Sequence, residues 1–360
     1  MKNHIHHFIL DHRIGGPHRY VETIRDFGNN YGYNTIVITT NRGPITDVQL
    51  LNLRHKSFFL YPIEVICNIV TILQYLKQST SDGSHLIAVH GVANIAPIIA
   101  SRIAGIGIVW HIHETSANLK FFYCLGWLFI HKKNSIIGVV AKKSADVYGI
   151  SKYTYLPPSV CENFWKRKTQ TKELHVRNES KEKFRFLIVG NISPVKGIDI
   201  ALAALSNLGV PFSLEIIGSN LATHQEYYRL LVSMAKNLQD KSPMSEINFL
   251  GWADSLNVRE AMERCDIFLL PSRSEAAPIV LLEAMSMKCA IVASNVGDIP
   301  FILEDYQRGE LFEVCNSEQL AFKIKKIIQN SLKTSPQDEP KFLGNISDIY
   351  QAYKKVMDKK

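Results

Sequence analysis

The stretch FLLPSRSEAAPIVLLEAMSMKCAIVASNVGDIP, residues 268–300, does most to predict the fold of this chain. An apolar run ends at Pro271, a polar turn carries Glu275, and a helical pattern containing Glu283 begins beside Pro278. Proline is favoured in the first turn of a helix, because its missing N–H leaves no donor unsatisfied there. The order of these features predicts a strand, a loop and a helix.

This predicted helix start suits a phosphate group. The N–H groups of Ile279 and Val280 lack helical partners at such a start, and the helix dipole adds positive potential. If all the steps from Glu275 to Glu283 were helical, the two carboxylates would lie roughly 12 Å apart at 1.5 Å per residue. A glycosidase pair needs roughly 5 to 9.5 Å, so the spacing favours two carboxylates that bind different hydroxyls of one long ligand. The alternative is an ordinary capped helix with two surface glutamates.

Composition bounds the class of protein. The chain has 360 residues, of which 46% are hydrophobic and 21% charged, which is typical of two globular domains. A net charge of +8 suits an anionic partner such as a nucleotide diphosphate or an anionic membrane surface. RNA-binding and zinc-finger signatures are missing, so no nucleic-acid partner is expected. The six cysteines form no CxxC pair and the N-terminus resembles no secretory signal, which predicts a cytoplasmic protein.

Short apolar runs alternate with longer amphipathic ones in both halves of the chain. Their near-continuous apolar character predicts parallel strands that are buried on both faces. The predicted strands are 6–10, 34–40, 85–90, 106–113, 184–190, 212–218, 247–251, 266–271 and 290–295. The predicted helices of the first half are 20–30, 63–78 and 93–104. In the second of these helices, Ile63, Ile66 and Val70 share one apolar face. The alternation predicts a doubly wound α/β domain in each half.

The 268–300 stretch resembles the donor-binding signature of the retaining GT-B glycosyltransferases, and in particular of their largest nucleotide-sugar-using family, glycosyl transferases group 1 of the family 4 type. The resemblance implies two Rossmann-like, doubly wound parallel-sheet domains that face each other across a cleft. It implies an acceptor-side domain at 1–165, a charged linker at 166–183 and a donor-side domain at 184–338. A C-terminal helix at 339–360 is then expected to return to the first domain.

The same resemblance assigns roles to residues of the donor side. Glu275 is expected against the donor sugar and Glu283 on the ribose hydroxyls, while the backbone of Ile279 and Val280 is expected to bind the diphosphate. The set of expected donor-binding residues also includes Gly218 and Leu250, at the ends of two predicted strands.

A second string, FLIVGNISPVKG at 186–197, resembles the family element strand–Gly–Arg-x-x-x-x-Lys-Gly. Lys196 matches the lysine that binds the donor pyrophosphate, since a lysine at a helix start can reach a diphosphate as a compact charge. Asn191 stands where the family has arginine, and it can hydrogen-bond phosphate only without charge. We expect Arg273 to compensate. Without the resemblance, a solvated lysine in a βα loop is the favoured interpretation of Lys196.

Two features of the first half match the family as well. Gly15 and Gly16 follow the first predicted strand and resemble the Gly-Gly loop that faces the donor phosphate and the acceptor; a plain tight turn is the alternative. The GxGxxG pattern is missing, which disfavours a dinucleotide enzyme. His113 matches a histidine that contacts the donor sugar, and the alternative is a structural histidine satisfied by backbone.

No metal cofactor is expected. The pair His111 and His113, which Glu114 follows, could suggest a metal site, but the chain offers no further ligand at a convincing spacing. The Asp-x-Asp motif, which would suggest a divalent metal on the diphosphate, does not occur in the sequence. We therefore expect Lys196 and helix N-termini to offset the charge of the leaving group.

The stretch 119–143 combines aromatic and basic residues. Such a combination can lie in a membrane interface, which would make the protein peripheral on the inner face of a membrane. A buried helix with snorkelling lysines is the alternative, and it is the favoured one.

The resemblance implies a retaining glycosyltransferase of the hexosyltransferase type. It would transfer a sugar from a nucleotide diphosphate sugar to a glycan or lipid-linked acceptor, as similar bacterial proteins do in surface polysaccharide synthesis. Two alternatives stay open: a GT-B-like nucleotide-sugar epimerase and a catalytically silent GT-B subunit that binds a partner or glycan.

Overall fold

The chain divides into two compact units. A computed structural model describes residues 3–10, 16–30, 32–39, 46–49, 61–79, 84–130, 133–160, 183–330 and 346–358. The first unit comprises Met1–Ser159 together with Gly344–Lys360, and the second comprises Val160–Leu343. Apart from its last residue, Lys183, the predicted linker 166–183 lies outside the described residues.

The first unit is a parallel α/β layer structure. Its strands lie side by side in the order β3-β2-β1-β4-β5-β6-β7, and every neighbouring pair is parallel. The strands are β1 Asn3–Ile9, β2 Tyr33–Thr39, β3 Val48–Gln49, β4 Ser84–His90, β5 Gly107–Ile112, β6 Ser135–Val139 and β7 Thr154–Tyr155. The helices before residue 160 are α1 Gly16–Asn30, α2 Tyr61–Ser79, α3 Ile95–Ala104, α4 Lys120–Phe129 and α5 Lys142–Tyr148. The central strands are buried on both faces, as their apolar runs predict.

Helix α2 carries apolar residues on both of its faces. The face that Ile63, Ile66 and Val70 share is exposed, whereas Ile72 and Leu76 are buried. Periodicity alone identifies an apolar stripe without showing which of two stripes meets the sheet.

Helix α4 corrects the expectation of a buried helix in the stretch 119–143. Tyr123 and Gly126 pack inward, but Phe121 and Leu128 are each 64% exposed and Trp127 is 42% exposed. Its outward face is therefore an apolar surface of the first unit.

The second unit repeats the parallel architecture. Its strands lie in the order β10-β9-β8-β11-β12-β13. They are β8 Phe184–Val189, β9 Phe212–Ile217, β10 Glu246–Gly251, β11 Ile267–Leu270, β12 Ala290–Ser294 and β13 Gly309–Phe312. The helices are α6 Ile198–Ser206, α7 Gln225–Lys241, α8 Ser255–Arg264, α9 Ile279–Ser286, α10 Ile299–Leu303 and α11 Ser317–Asn330.

The last helix, α12 Ile346–Met357, is part of the first unit. It contacts strands β4, β5 and β6 of that unit. Tyr350 Oη donates a hydrogen bond to the carbonyl of Ile24 at 2.7 Å, and Tyr353 Oη lies 2.9 Å from His111 Nε2. Aromatic side chains with buried hydroxyls thus join the C-terminal segment to the N-terminal sheet.

Both strand orders contain a point at which the chain changes its direction of winding. In the first sheet this point lies between β1 and β4, and in the second between β8 and β11. Ligands of open α/β sheets bind in the crevice outside the carboxyl ends of the strands at such a point. The two crevices are therefore where a site is expected.

Candidate functional site

The loops after β8 and β11 meet at the carboxyl edge of the second sheet. Lys196 belongs to the first loop and Glu275 to the second, and their Nζ and Oε1 atoms lie 2.6 Å apart. Ser272 Oγ donates a second hydrogen bond to the same oxygen at 2.8 Å. The Lys196 side chain is 27% exposed and that of Glu275 is 11% exposed, so the ion pair is partly open to solvent. The structure thus brings together two residues that the sequence suggested separately.

Glycine geometry allows these two loops to approach closely. Gly197 has φ +63°, and a β-carbon there would lie 2.0 Å from the carbonyl oxygen of Pro271. The stem of Lys196 runs over Gly190, where a β-carbon would be 3.4 Å from the lysine carbons. Gly197 is therefore the position at which a side chain would force the two loops apart.

Arg273 has a different partner from the one that we expected. Its guanidinium donates two hydrogen bonds to the Asp199 carboxylate, at 2.9 and 2.7 Å, and a third to the carbonyl of Pro194. Burial alone would raise the pKa of Asp199, but hydrogen bonds from Arg273 and Tyr227 bring it below its usual value. Arg273 thus connects the Lys196 loop to the Glu275 loop. Both terminal nitrogens of its guanidinium are hydrogen-bonded to the Asp199 carboxylate.

Helix α9 begins directly after Pro278, which precedes the helix in an extended conformation. The N–H of Leu281 donates to Pro278 O, and no acceptor for Ile279 N or Val280 N is found among the described residues. Only the second half of the interval between Glu275 and Glu283 is helical, so the 12 Å separation expected for a continuous helix does not apply. Glu283 lies within α9 and is buried.

Gly297 is a site residue that sequence reasoning missed. It has φ +57°, and a β-carbon there would lie 2.2 Å from the carbonyl oxygen of Glu275 and 2.5 Å from that of Ala276. The Asp298 N–H also donates to Ala276 O at 2.8 Å. The turn after β12 therefore packs directly against the backbone of the Glu275 loop. The Val-Gly-Asp string after a predicted strand was the available signal, since glycine is favoured in such turns.

Replacing Gly297 with alanine is expected to destabilise the second unit by roughly 1 to 3 kcal/mol beyond the cost of a positive φ, because the new methyl group overpacks the Glu275 loop. Gly209 is the matched control: it has φ +78° and nothing lies within 4 Å of a β-carbon there. Urea unfolding of both variants measures the difference. Equal losses of stability in Gly297→Ala and Gly209→Ala would show that the Glu275 loop can move to accept the methyl group without an added loss of stability.

The remaining donor-side candidates lie at the ends of neighbouring strands. Asn191 directly follows Gly190, and a β-carbon at Gly218 would lie 1.9 Å from the carbonyl oxygen of Gly190. Gly218 is thus a close-packing position for these loops. Leu250 is exposed and lines a surface pocket with Trp252.

The first unit carries a chain of three hydrogen-bonded histidines beside its own crevice, of which His7 and His90 are buried. His7 of β1, His90 of β4 and His113, just after β5, are joined by ring-nitrogen contacts of 2.9 Å and 3.0 Å. Burial lowers the pKa of His7 and of His113 to about 3, and it also lowers that of His90, whose pKa is depressed further by the neighbouring His111. All three imidazoles are therefore neutral near pH 7.

The neighbouring histidine and glutamate are occupied by structural contacts. Tyr20 uses its hydroxyl proton on Leu156 O, so His111 Nδ1 donates to Tyr20 Oη and Nε2 accepts from Tyr353. The Glu114 carboxylate accepts from the backbone N–H groups of Val92 and His113.

The remaining candidates of the first unit are the possible metal site and the two glycines Gly15 and Gly16. In the described part of the chain no group of three or more His, Cys, Asp or Glu residues is placed to hold a metal ion. Gly16 is the first residue of α1, and Gly15 lies outside the described residues.

Comparisons with known proteins agree with this architecture. The Anabaena protein HepE, solved in complex with UDP, superposes with a TM-score of 0.77 at 18% identity, covering 100% of both chains. An uncharacterised glycosyltransferase of Methanocaldococcus jannaschii is 31% identical over 144 residues, which are 40% of this chain and 38% of that protein. The lipopolysaccharide glucosyltransferase WaaG of Escherichia coli is 27% identical over 185 residues, which are 51% of this chain and 48% of that protein. This chain thus covers less than two thirds of either curated relative.

The two parallel-sheet units and their structural neighbours define the fold as GT-B, with two Rossmann-like units, and the predicted fold class is confirmed. Residues 169–341 match the family described as Glycosyl transferases group 1. The matched region lies in the second unit, which holds the Lys196–Glu275 pair.

Proposed function

We propose that the protein is a retaining glycosyltransferase that transfers a sugar from a nucleotide diphosphate sugar to a glycan or lipid-linked acceptor in surface polysaccharide synthesis. The observation that carries the proposal is the Lys196–Glu275 pair at the switch point of the second sheet, beside the start of helix α9. Similarity to a lipopolysaccharide glucosyltransferase and to a fold neighbour solved with UDP supports it.

Each donor-side group has a distinct task in this proposal. The Lys196 ammonium and the free N–H groups of Ile279 and Val280 bind the diphosphate, as a helix start favours an anion. Asn191 adds an uncharged hydrogen bond to phosphate. Glu283 holds the ribose hydroxyls and Glu275 holds the donor sugar.

The first unit completes the assignment. His113 contacts the donor sugar through the nitrogen that is not bound to His90, and Gly16, the first residue of α1, is assigned to the donor phosphate and the acceptor. Neutral His113 can bind a hydroxyl without bringing a charge to the sugar.

The reaction breaks the bond between the anomeric carbon and a diphosphate oxygen. A new bond from the acceptor oxygen forms on the same face of the sugar, and the acceptor proton passes to the leaving phosphate. Lys196 and the start of α9 stabilise the charge that develops on the leaving diphosphate, which is work that a divalent metal performs elsewhere. The proposed enzyme is therefore independent of metal.

A panel of nucleotide sugars tests this function. The true donor is expected to raise the unfolding temperature, because a ligand at a hundred times its Kd stabilises a protein by about 2.7 kcal/mol. Transfer with that donor and a glycan or lipid-linked acceptor is expected to continue in a strong chelator. Interconversion of the donor without acceptor would instead identify an epimerase. Binding of a glycan without any donor turnover would identify a silent subunit.

We also place the enzyme at the cytoplasmic face of a membrane, on the outer surface of helices α2, α3 and α4. None of the described helices is both long and apolar enough to span a membrane. This surface instead presents exposed apolar side chains, which are Ile63, Ile66, Val70, Ile103, Phe121, Trp127, Leu128 and Phe129. Exposed Arg102, Lys120 and Lys133 lie on or beside the same helices. Apolar and aromatic groups with basic neighbours match the chemistry of an anionic lipid surface.

Binding to anionic vesicles is expected to fall when Lys120 and Lys133 are changed to glutamate. Each basic residue near such a surface contributes about 1 kcal/mol, and salt screens the attraction. Changing Lys236 and Lys241 to glutamate is the matched control, since both lie exposed on α7 of the second unit. Flotation at low and high salt measures binding. Equal losses in the two double variants, or equal binding to neutral vesicles, would contradict the assigned surface.

A further inference from the structure

A continuous hydrogen-bonded chain links His113 to the interior of the first unit. His113 Nε2 lies 3.0 Å from His90 Nδ1, and His90 Nε2 lies 2.9 Å from His7 Nδ1. His7 and His90 are buried, whereas His113 is partly exposed. His113 is therefore the end of the chain that a ligand can reach.

The geometry makes the tautomers of the three rings interdependent. Each contact joins an Nδ1 atom to an Nε2 atom, and a neutral imidazole has one N–H and one bare nitrogen. If His90 donates from Nδ1, it must accept at Nε2, so all three rings carry the proton on Nδ1. If His90 donates from Nε2, all three carry it on Nε2. Mixed arrangements leave two lone pairs or two N–H groups facing each other.

The far end of the chain is closed to solvent. His7 Nε2 is buried and has no hydrogen-bond partner among the described residues. His90 is further held by stacking on His111, with ring centroids 4.6 Å apart and planes 12° apart. Because His111 is fixed by Tyr20 and Tyr353, the His90 ring has a rigid support.

We infer that His7 and His90 are positioning residues for His113, and that the three imidazoles form one tautomer-coupled relay that sets whether Nδ1 of His113 donates to or accepts from a hydroxyl of the donor sugar. This inference rests on the proposed function, in which His113 contacts that sugar. It extends the site to strands β1 and β4, to which the proposed function assigns no donor contact. Because His7 Nε2 is buried and has no partner among the described residues that could deliver a proton, the shared tautomer is a fixed property of the folded unit.

Nitrogen-15 NMR of the histidine-labelled protein tests the relay directly, because the ring shifts report which nitrogen carries the proton. The expected result at pH 7 is one shared tautomer for His7, His90 and His113, all neutral. Different tautomers in His90 and His113, or a charged ring in either, would overturn the inference. This readout requires no substrate, so it stands apart from the test of the proposed function.

Donor kinetics then separate positioning from stability. His90→Phe keeps an aromatic ring on His111 but removes both nitrogens, and it is expected to lower kcat/KM for the donor by about tenfold to a hundredfold. His90→Asn places an amide near the Nδ1 position and is expected to recover most of that loss. The control is His6→Phe, since His6 is equally buried on β1 but bonds Tyr75 and His85.

The outcomes of these kinetics are distinct. A loss in His90→Phe with rescue in His90→Asn and none in His6→Phe supports the relay. Equal losses in His90→Phe and His6→Phe, or no rescue by asparagine, would reduce His90 to a structural residue and overturn the inference. If no nucleotide sugar is turned over by the unaltered protein, the proposed function fails, while the shared tautomer still decides the relay.

Discussion

Replacing Glu275 with glutamine is expected to lower sugar transfer by roughly two to three orders of magnitude, the usual cost of losing one charge-stabilising group in an active site. Binding of a free nucleoside diphosphate to this variant is expected to be retained or tightened. The reason lies in the ion pair: Glu275 Oε1 is 2.6 Å from Lys196 Nζ and competes with phosphate for the ammonium group. Removing the carboxylate charge releases Lys196 to the ligand.

Lys196→Ala is expected to have the opposite effect on nucleotide binding. Losing a hydrogen bond from a charged donor costs about 1.5 to 3 kcal/mol, so nucleoside diphosphate binding should weaken by about tenfold to a hundredfold. Calorimetric titration of both variants distinguishes the two roles. Glu246→Gln is the matched control, because it breaks the surface pair with Lys183 in the same unit. If Glu275→Gln loses the nucleotide as badly as Lys196→Ala does, Glu275 binds the nucleotide and not the sugar.

Acidification is expected to unfold the first unit before the second. Burial lowers the pKa of His6 and His7 to about 3 and depresses that of His90 and His111 well below the ordinary 6.5. As the pH falls, the unfolded chain therefore takes up protons on these histidines at a higher pH than the folded chain does. Stability is complete above pH 6.5 and is lost as the pH falls from there toward the folded pKa values. Each fully buried histidine costs roughly 1 kcal/mol between pH 6.5 and 5.5, so the four together cost roughly 4 kcal/mol.

Hydrogen exchange read by mass spectrometry can follow the two units in one molecule. After correction for intrinsic rates, strands β1, β4 and β5 are expected to lose protection between pH 6.5 and 5, while β8 and β9 retain theirs. In the second unit, hydrogen bonds to lysine and arginine outweigh burial and lower the pKa of Glu310 and Asp199, so their contribution is lost only at more acidic pH. A parallel loss of protection in both units would show that the buried histidines do not dominate the acid response.

The strands were predictable where an apolar run is long and uninterrupted. Strands β4, β5 and β12 are buried along almost their whole lengths, and their apolar sequences show it. Strand β6, Ser135–Val139, escaped prediction because it is short and contains a glycine. Helix α2 was predicted as a helix, but its pattern does not show which side meets the sheet, since apolar residues cover both of its faces.

The candidate site was predictable only as separate loops. Spacing and turn chemistry pointed to Lys196, Glu275 and the start of α9, because each of those signals is local. The pairing of Arg273 with Asp199 and the support of Glu275 by Gly297 depend on strands that are distant in sequence. The histidine relay joins three strands, and no local pattern reports which ring nitrogens face each other.

The return of helix α12 to the first sheet affects the order in which the chain can fold during synthesis. Tyr350 and Tyr353 contribute to the core of the first unit, yet the ribosome makes them after the whole second unit. The second unit can therefore fold as soon as it emerges, while the N-terminal sheet must wait for residues 346–357. Until then the face of β4 and β5 that α12 covers in the folded unit is exposed to solvent. A nascent chain at this stage presents that apolar surface to chaperones.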